Sequence, residues 1–203
     1  RQSPSPGKSR DPRYDPRHHP RHDPRRQHRL PVPNGDRARP GNLLRLGYRR
    51  FEVFLNAMEE LSCPLLAGAG ERARAYGASF VSVHPFTSAA ESTLLFGDYP
   101  RRTREGFDFY RRYLAAAAQL GARWVVIHGQ PQGHGALSDE GYWRRFGELY
   151  QLGKEEGAFP AQENVRQHRS ARPEFIAGHG PLSGGGLRLC AGREAVPHGR
   201  GAG

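Results

Sequence analysis

Three residues of this chain stand where a parallel sheet would gather them, and their types suit a divalent metal. His84 ends the apolar run Phe80-Val81-Ser82-Val83, His128 ends Trp124-Val125-Val126-Ile127, and Glu163 ends Ala158-Phe159-Pro160-Ala161-Gln162. The first two runs are rich in β-branched residues and are broken at once by Pro85 and Gly129. Short apolar runs bounded by turn signals read as buried parallel strands, with the polar residue at the C-terminal end. In barrels of alternating strands and helices, that end carries the chemistry. Two imidazoles and a carboxylate converging there make a donor set for Mn, Co, Mg or Zn. Open positions would remain to bind and polarise a hydroxyl, carbonyl or phosphate oxygen. Taken singly, each histidine also reads as a hydrogen-bonded structural residue, so ligation is read from the three successive strand ends together.

Other polar residues flank this set. Glu52 and Asn56, on the first recognisable strand, read either as substrate contacts or as ordinary polar lining. Arg166 and Arg169 follow Glu163 and could grip a phosphate or carboxylate bidentately, or be solvated loop charges. His134, in a Gly-rich loop, and His168, beyond the last strand, are expected to be mobile surface residues. Nothing resembles a Walker loop, a dinucleotide fingerprint or a nucleophile elbow.

The elements that must position these residues are legible from residue 43 onward. Residues 43–48 look like the end of an amphipathic helix closed by Gly47, and residues 51–56 like a strand. A helix is predicted loosely over 57–76, where Pro64 and several glycines blur its first half. Residues 87–100 read as a long loop that could cover a substrate. The clearest helix is 101–120, with Phe107, Tyr110, Leu114 and Ala117 on one stripe and Gly121 at its end. Ser138 is a good N-cap, with Asp139 and Glu140 in the first turn, for a helix striped by Tyr142, Phe146 and Leu149 and ended by Gly157. The order is strand, helix, strand, helix, strand, helix, strand. It predicts right-handed crossovers and an α/β fold with about four recognisable parallel strands.

Composition narrows the partners. The formal net charge is +11 over 203 residues, which ordinarily points to nucleic acid or an anionic surface. The excess is local. Residues 1–50 hold 14 Lys/Arg against 4 Asp/Glu, whereas residues 51–176 hold 14 against 15. The patterned middle is therefore neutral, which argues against a DNA-binding groove. Cys63 and Cys190 have no metal-like or disulfide-framework spacing, so a reducing, cytoplasmic setting is expected. No apolar run approaches the length of a membrane span or a signal peptide. Oligomeric state leaves no mark on the sequence.

The quoted pieces resemble the xylose isomerase-like TIM barrel superfamily, which holds sugar phosphate isomerases/epimerases and metal-dependent apurinic endonucleases. The resembling stretches are Leu46-Gly47-Tyr48-Arg49-Arg50-Phe51-Glu52-Val53, Val81-Ser82-Val83-His84-Pro85, Gly121-Ala122-Arg123-Trp124-Val125-Val126-Ile127-His128-Gly129 and Gln162-Glu163-Asn164-Val165. The resemblance implies a (β/α)8 barrel with a divalent metal at its C-terminal rim and a sugar or sugar-phosphate substrate. It makes Glu163 a ligand and an acid/base, and His84 and His128 ligands or substrate-orienting groups. Metal-dependent sugar isomerisation or epimerisation is the activity expected from it. An apurinic endonuclease-like phosphodiesterase is the alternative, and a non-catalytic nucleic-acid-binding protein acting through the basic N-terminal arm is a third reading of another class.

The family's later Asp, His and Glu ligands would lie beyond Glu163, and the sequence turns Gly-rich and patternless after Ile176. The chain is thus expected to hold a partial barrel over 41–176, between a low-complexity N-terminal flank, 1–40, and a C-terminal tail, 177–203. Both flanks read as disordered. Opening on Arg1, the chain reads as a fragment. Both flanks also have the Arg/Pro/Gly/His bias of a GC-rich gene read out of frame. In a shifted frame, residues 34–42 would become a helix start, and 187–200 a further strand ending in an acidic ligand.

Overall fold

Apolar runs that alternate with amphipathic segments bury both kinds of surface when the strands pair in parallel and the helices return along the sheet. In the computed structural model, which describes residues 28–31, 40–61, 63–180 and 189–190, the chain does this. The elements run β1 (His28–Pro31), α1 (Pro40–Arg45), β2 (Arg50–Leu55), α2 (Cys63–Ala75), β3 (Ser79–Pro85), α3 (Glu91–Leu94) and α4 (Pro100–Leu120). Then follow β4 (Trp124–Ile127), α5 (Asp139–Glu156), β5 (Phe159–Glu163), α6 (Pro173–Ala177) and β6 (Leu189–Cys190). Each strand pairs in parallel with the next, so the sheet order is the sequence order. The four predicted strands are β2 to β5. Strands β1 and β6 fall in flanks that carry no strand pattern in the sequence. The rest of both flanks, and with it the reading of them as disordered or out of frame, lies outside the described residues.

Local chemistry sets the helix ends. Pro100 opens α4, where its missing N–H costs nothing, and Gly121 closes it at φ 74° with its N–H shared by the carbonyls of Ala117 and Ala118. The Ser138 hydroxyl accepts from the Gly141 N–H at 3.1 Å to cap α5, which Gly157 ends at φ 87°. The predicted stripes are the buried faces, although Phe107 is only partly covered. They meet Val53, Leu55, Val83, Val125 and Ile127 on the helix-facing side of the sheet. Phe96 stacks on Tyr142 there at 3.9 Å between centroids. Among the described residues, no helix is long and apolar enough to cross a membrane.

Two stretches differ from the sequence reading. Residues 57–76 divide into a 3-10 turn, Met58–Leu61, and α2, with Pro64 in the first turn of the helix, where proline is tolerated. Residues 87–100 are not an open loop. A 3-10 turn, Ser88–Ala90, leads into α3, and Leu95 and Phe96 beyond it are fully buried. A four-residue helix is too short to show a period in sequence.

A bulge decides which way β3 faces. Phe51 pairs with Phe80, but Glu52 pairs with Ser82, so Val81 is an extra residue. Phe80 still packs on Phe51 with the helices, and so does Val83 with Val53. Ser82 and His84 are left facing the other way, on the side of the sheet away from the helices. Registers then build interior layers. Glu52, Ser82, Trp124 and Phe159 are level, Phe54 is level with His84, and His128 and Glu163 follow directly after the paired Ile127 and Gln162.

Where α3 crosses α4, Gly106 lies against the Leu94 carbonyl so closely that any Cβ would overlap it. Gly106→Ala should destabilise the chain by about 1–3 kcal/mol, seen as a lower midpoint in urea unfolding. His179 is enclosed by Phe146, Phe175 and Tyr142, with a buried Nε2 that has no partner among the described residues. Burial drives its pKa from 6.5 down to about 4. The unfolded chain therefore takes up this proton first, and the stabilisation present above about pH 6.5 is lost as pH falls toward 4. Between pH 7 and pH 4 the wild-type chain should lose roughly 3 kcal/mol more stability than His179→Leu. Equal losses in urea titrations at the two pH values would contradict this.

Candidate metal centre

At the C-terminal edge of the sheet the three predicted residues meet. One ligand atom each from His84, His128 and Glu163 lie within 4.8 Å of one another. His84 is buried, with its ring stacked on Phe54 at 4.4 Å and edge-on to His128 at 6.4 Å. The Nε2 atom of His128 is 2.7 Å from Glu163 Oε2. Glu52 reaches up from the layer below, and its Oε2 is 3.3 Å from His84 Nε2. That approach lacks hydrogen-bond geometry, so among the described residues His84 Nε2 is a buried nitrogen without a hydrogen-bond partner. Two imidazole nitrogens and a carboxylate at this spacing could hold a metal ion, and the orphaned nitrogen is the kind of atom a cation would satisfy.

The main chain that carries His128 is held from two sides. Glu91, fully buried in α3, accepts from the Gly129 N–H through Oε2 at 2.6 Å and from the Tyr110 hydroxyl through Oε1 at 3.0 Å. Thr87 Oγ1 lies 3.2 Å from that hydroxyl. Burial raises the Glu91 pKa to about 7, against the lowering effect of the Gly129 N–H and the charge of His128. From β5, the fully buried Gln162 donates to the carbonyls of Ile127 and His128 at 3.0 and 3.1 Å, and accepts from the Tyr142 hydroxyl at 2.7 Å. Sequence reasoning missed Glu91. Its signal was an acid three residues ahead of the apolar run Leu94-Leu95-Phe96, in a stretch read as loop.

The other candidates are placed differently. Asn56 is exposed, with its amide turned back onto the Phe54 carbonyl and its N–H on the Glu60 carboxylate. Arg169 donates to Gln130 Oε1 at 2.7 Å, to the Leu137 carbonyl at 2.8 Å and to Asp139. Arg172 adds a second cation to Asp139, at 3.0 Å. Burial works to raise that carboxyl, but hydrogen bonds from Arg169 and Arg172 outweigh it and hold the pKa below the usual value. These residues line an open cleft of about 450 Å³ with Gln132, Gly133, Gly135 and Leu137. Arg166 is exposed. His168 is half-buried rather than free on the surface. Its ring centroid is 6.2 Å from that of His128, because an isolated bridge to Pro131 and hydrogen bonds from Gln132 and Arg169 to the neighbouring main chain fold this segment back over the rim. Burial, then the charge of His128, lowers its pKa.

No family model and no curated protein matches the sequence. Solved structures do match. A xylose isomerase domain protein from Planctomyces limnophilus superposes with a TM-score of 0.57 at 13% identity, covering 75% of this chain and 57% of its own. D-psicose 3-epimerase, in the presence of D-fructose, gives 0.57 at 14%, with 81% and 62% covered. L-ribulose 3-epimerase gives 0.56 at 13%, with 74% and 52% covered. The chain spans little more than half the length of these structures. In that span, it has the fold of the xylose isomerase-like TIM barrels and sugar epimerases.

Proposed function

We propose that this chain is the first part of a metal-dependent sugar or sugar-phosphate isomerase/epimerase, with Glu163, His84 and His128 as ligands of a divalent cation. The observation that carries the proposal is the convergence of these three side chains at the rim where such barrels place their chemistry. A bound divalent ion would polarise a carbonyl or hydroxyl oxygen of the sugar and so ease proton loss from the adjacent carbon. Glu163 is the acid/base for that proton, since a carboxylate at the rim can reach a substrate carbon. Glu52, beside His84, would line the floor under the substrate. Arg169 would meet a polar substrate group only along the cleft it shares with Arg172. Asn56 would contact substrate only if its amide turned away from Phe54.

A second reading keeps the same residues. Two histidines and a glutamate also resemble the zinc ligands of the apurinic endonuclease branch, where the product would be nicked DNA. Most of the basic arm of residues 1–40 lies outside the described residues, so DNA binding is decided by assay.

Elemental analysis of the purified full chain should find one or more of Mn, Co, Mg and Zn bound, and Glu163→Gln should lower the content several-fold. Exchange of carbon-bound hydrogen beside the carbonyl of free ketoses and ketose phosphates, followed by NMR in D2O, tests the reaction. Metal content that is nil, or unchanged by Glu163→Gln, would rule out the site. Nicking of abasic DNA without sugar exchange would favour the second reading.

A further inference from the structure

Ligand strength depends on aim as much as on identity, and residues that touch a ligand's support rather than the metal commonly set it. His128 follows the last residue of β4, so its ring direction is set by the peptides on either side of it. Glu91 takes the N–H that follows His128, and Gln162 donates to the carbonyls of Ile127 and His128. The two grips come from different elements, α3 and β5, which bracket β4. Each is aligned by a buried tyrosine: Tyr110 on Glu91, Tyr142 on Gln162.

Gly129 shows how closely this arrangement fits. It sits at φ 81°, a left-handed conformation that suits glycine, and a Cβ there would overlap the Tyr142 hydroxyl. The turn thus has Tyr142 against its Cα and Glu91 against its N–H. Gln162 also precedes Glu163, the residue to which His128 Nε2 is paired. The same side chain that fixes the histidine's carbonyl therefore sits on the strand that delivers its carboxylate partner.

We propose that Glu91 and Gln162 are positioning residues that act as one clamp on the His128 main chain, holding its imidazole toward Glu163 and thereby setting how tightly the centre binds a divalent cation. The proposal rests on the metal-site reading given above. Neither residue touches the cation. Glu91 ties the segment after β3, which carries His84, to the turn after β4, and Gln162 ties that turn to β5. All three ligand-bearing strand ends are coupled through two buried side chains.

Cobalt(II) titration of the full chain, read by visible absorption, tests the clamp together with NMR of the His128 ring in metal-free protein. Glu91→Ala removes one jaw and should weaken cobalt binding about 10–100-fold and shift the His128 ring resonances. Glu91→Gln keeps an acceptor for the Gly129 N–H and should restore affinity to within a few-fold of wild type. Tyr142→Phe loosens the other jaw with little loss of packing and should weaken binding several-fold, so the test survives if Glu91→Ala does not fold. Wild-type affinity and unmoved His128 resonances in Tyr142→Phe, or in a folded Glu91→Ala, would overturn the clamp; loss of cobalt binding in Glu163→Gln would then leave the metal site standing. A wild-type chain that binds no cobalt would overturn both.

Discussion

A strand-end histidine is only as well aimed as the peptide that carries it, and the turn from His128 to Gln130 is held by buried side chains from several elements. Glu91, Gln162 and Tyr142 hold its first half. Gln130 holds the second, donating to the Phe96 carbonyl at 2.9 Å while Arg169 donates to its side chain and its main chain. Buried hydrogen bonds of this kind are costly to break because the partner left behind is unsatisfied. The segments after β3, β4 and β5 are cross-linked through this one turn, and the candidate centre inherits its geometry from it.

Seen this way, Arg169 has a structural task. Its guanidinium lies over the rings of Tyr142 and Phe175, at 5.5 and 5.2 Å, and bonds to both sides of the loop between β4 and α5. Two arginines around Asp139 leave the cleft locally cationic, at the first turn of a helix. Water screens the half-exposed Arg172–Asp139 pair more than the largely buried Arg169, whose bonds to Gln130 and Leu137 order the loop.

How much of this could be read in advance follows from how local each signal is. Strands β2 to β5, helix α4, the Ser138 cap and the three-residue convergence were legible because period, caps and strand-end position are short-range patterns. Glu91 was not, because its partners lie 19 and 38 residues away, and a helix of four residues carries no period. His168 misled because its neighbours in sequence are polar, while its burial comes from the folding back of its own segment onto Pro131. For Arg169 the sequence offered substrate grip or solvated charge, and the structure engages it with its own chain. For Glu52 the sequence offered substrate contact or polar lining, and only the register shows that it stands one layer beneath His84.

The extra residue in β3 has a wider consequence. Side chains alternate strictly along a strand, so parity at Phe80 and parity at His84 cannot both be chosen freely without an interruption between them. Val81 supplies that interruption. The hydrophobic demands of the helix layer and the polar demands of the rim are thereby decoupled within seven residues of one strand. Ahead of the break Phe80 faces the helices; behind it Val83 does so, and Ser82 and His84 face the other way. One inserted residue therefore lets the same strand present Phe80 to the helix layer and His84 to the candidate centre.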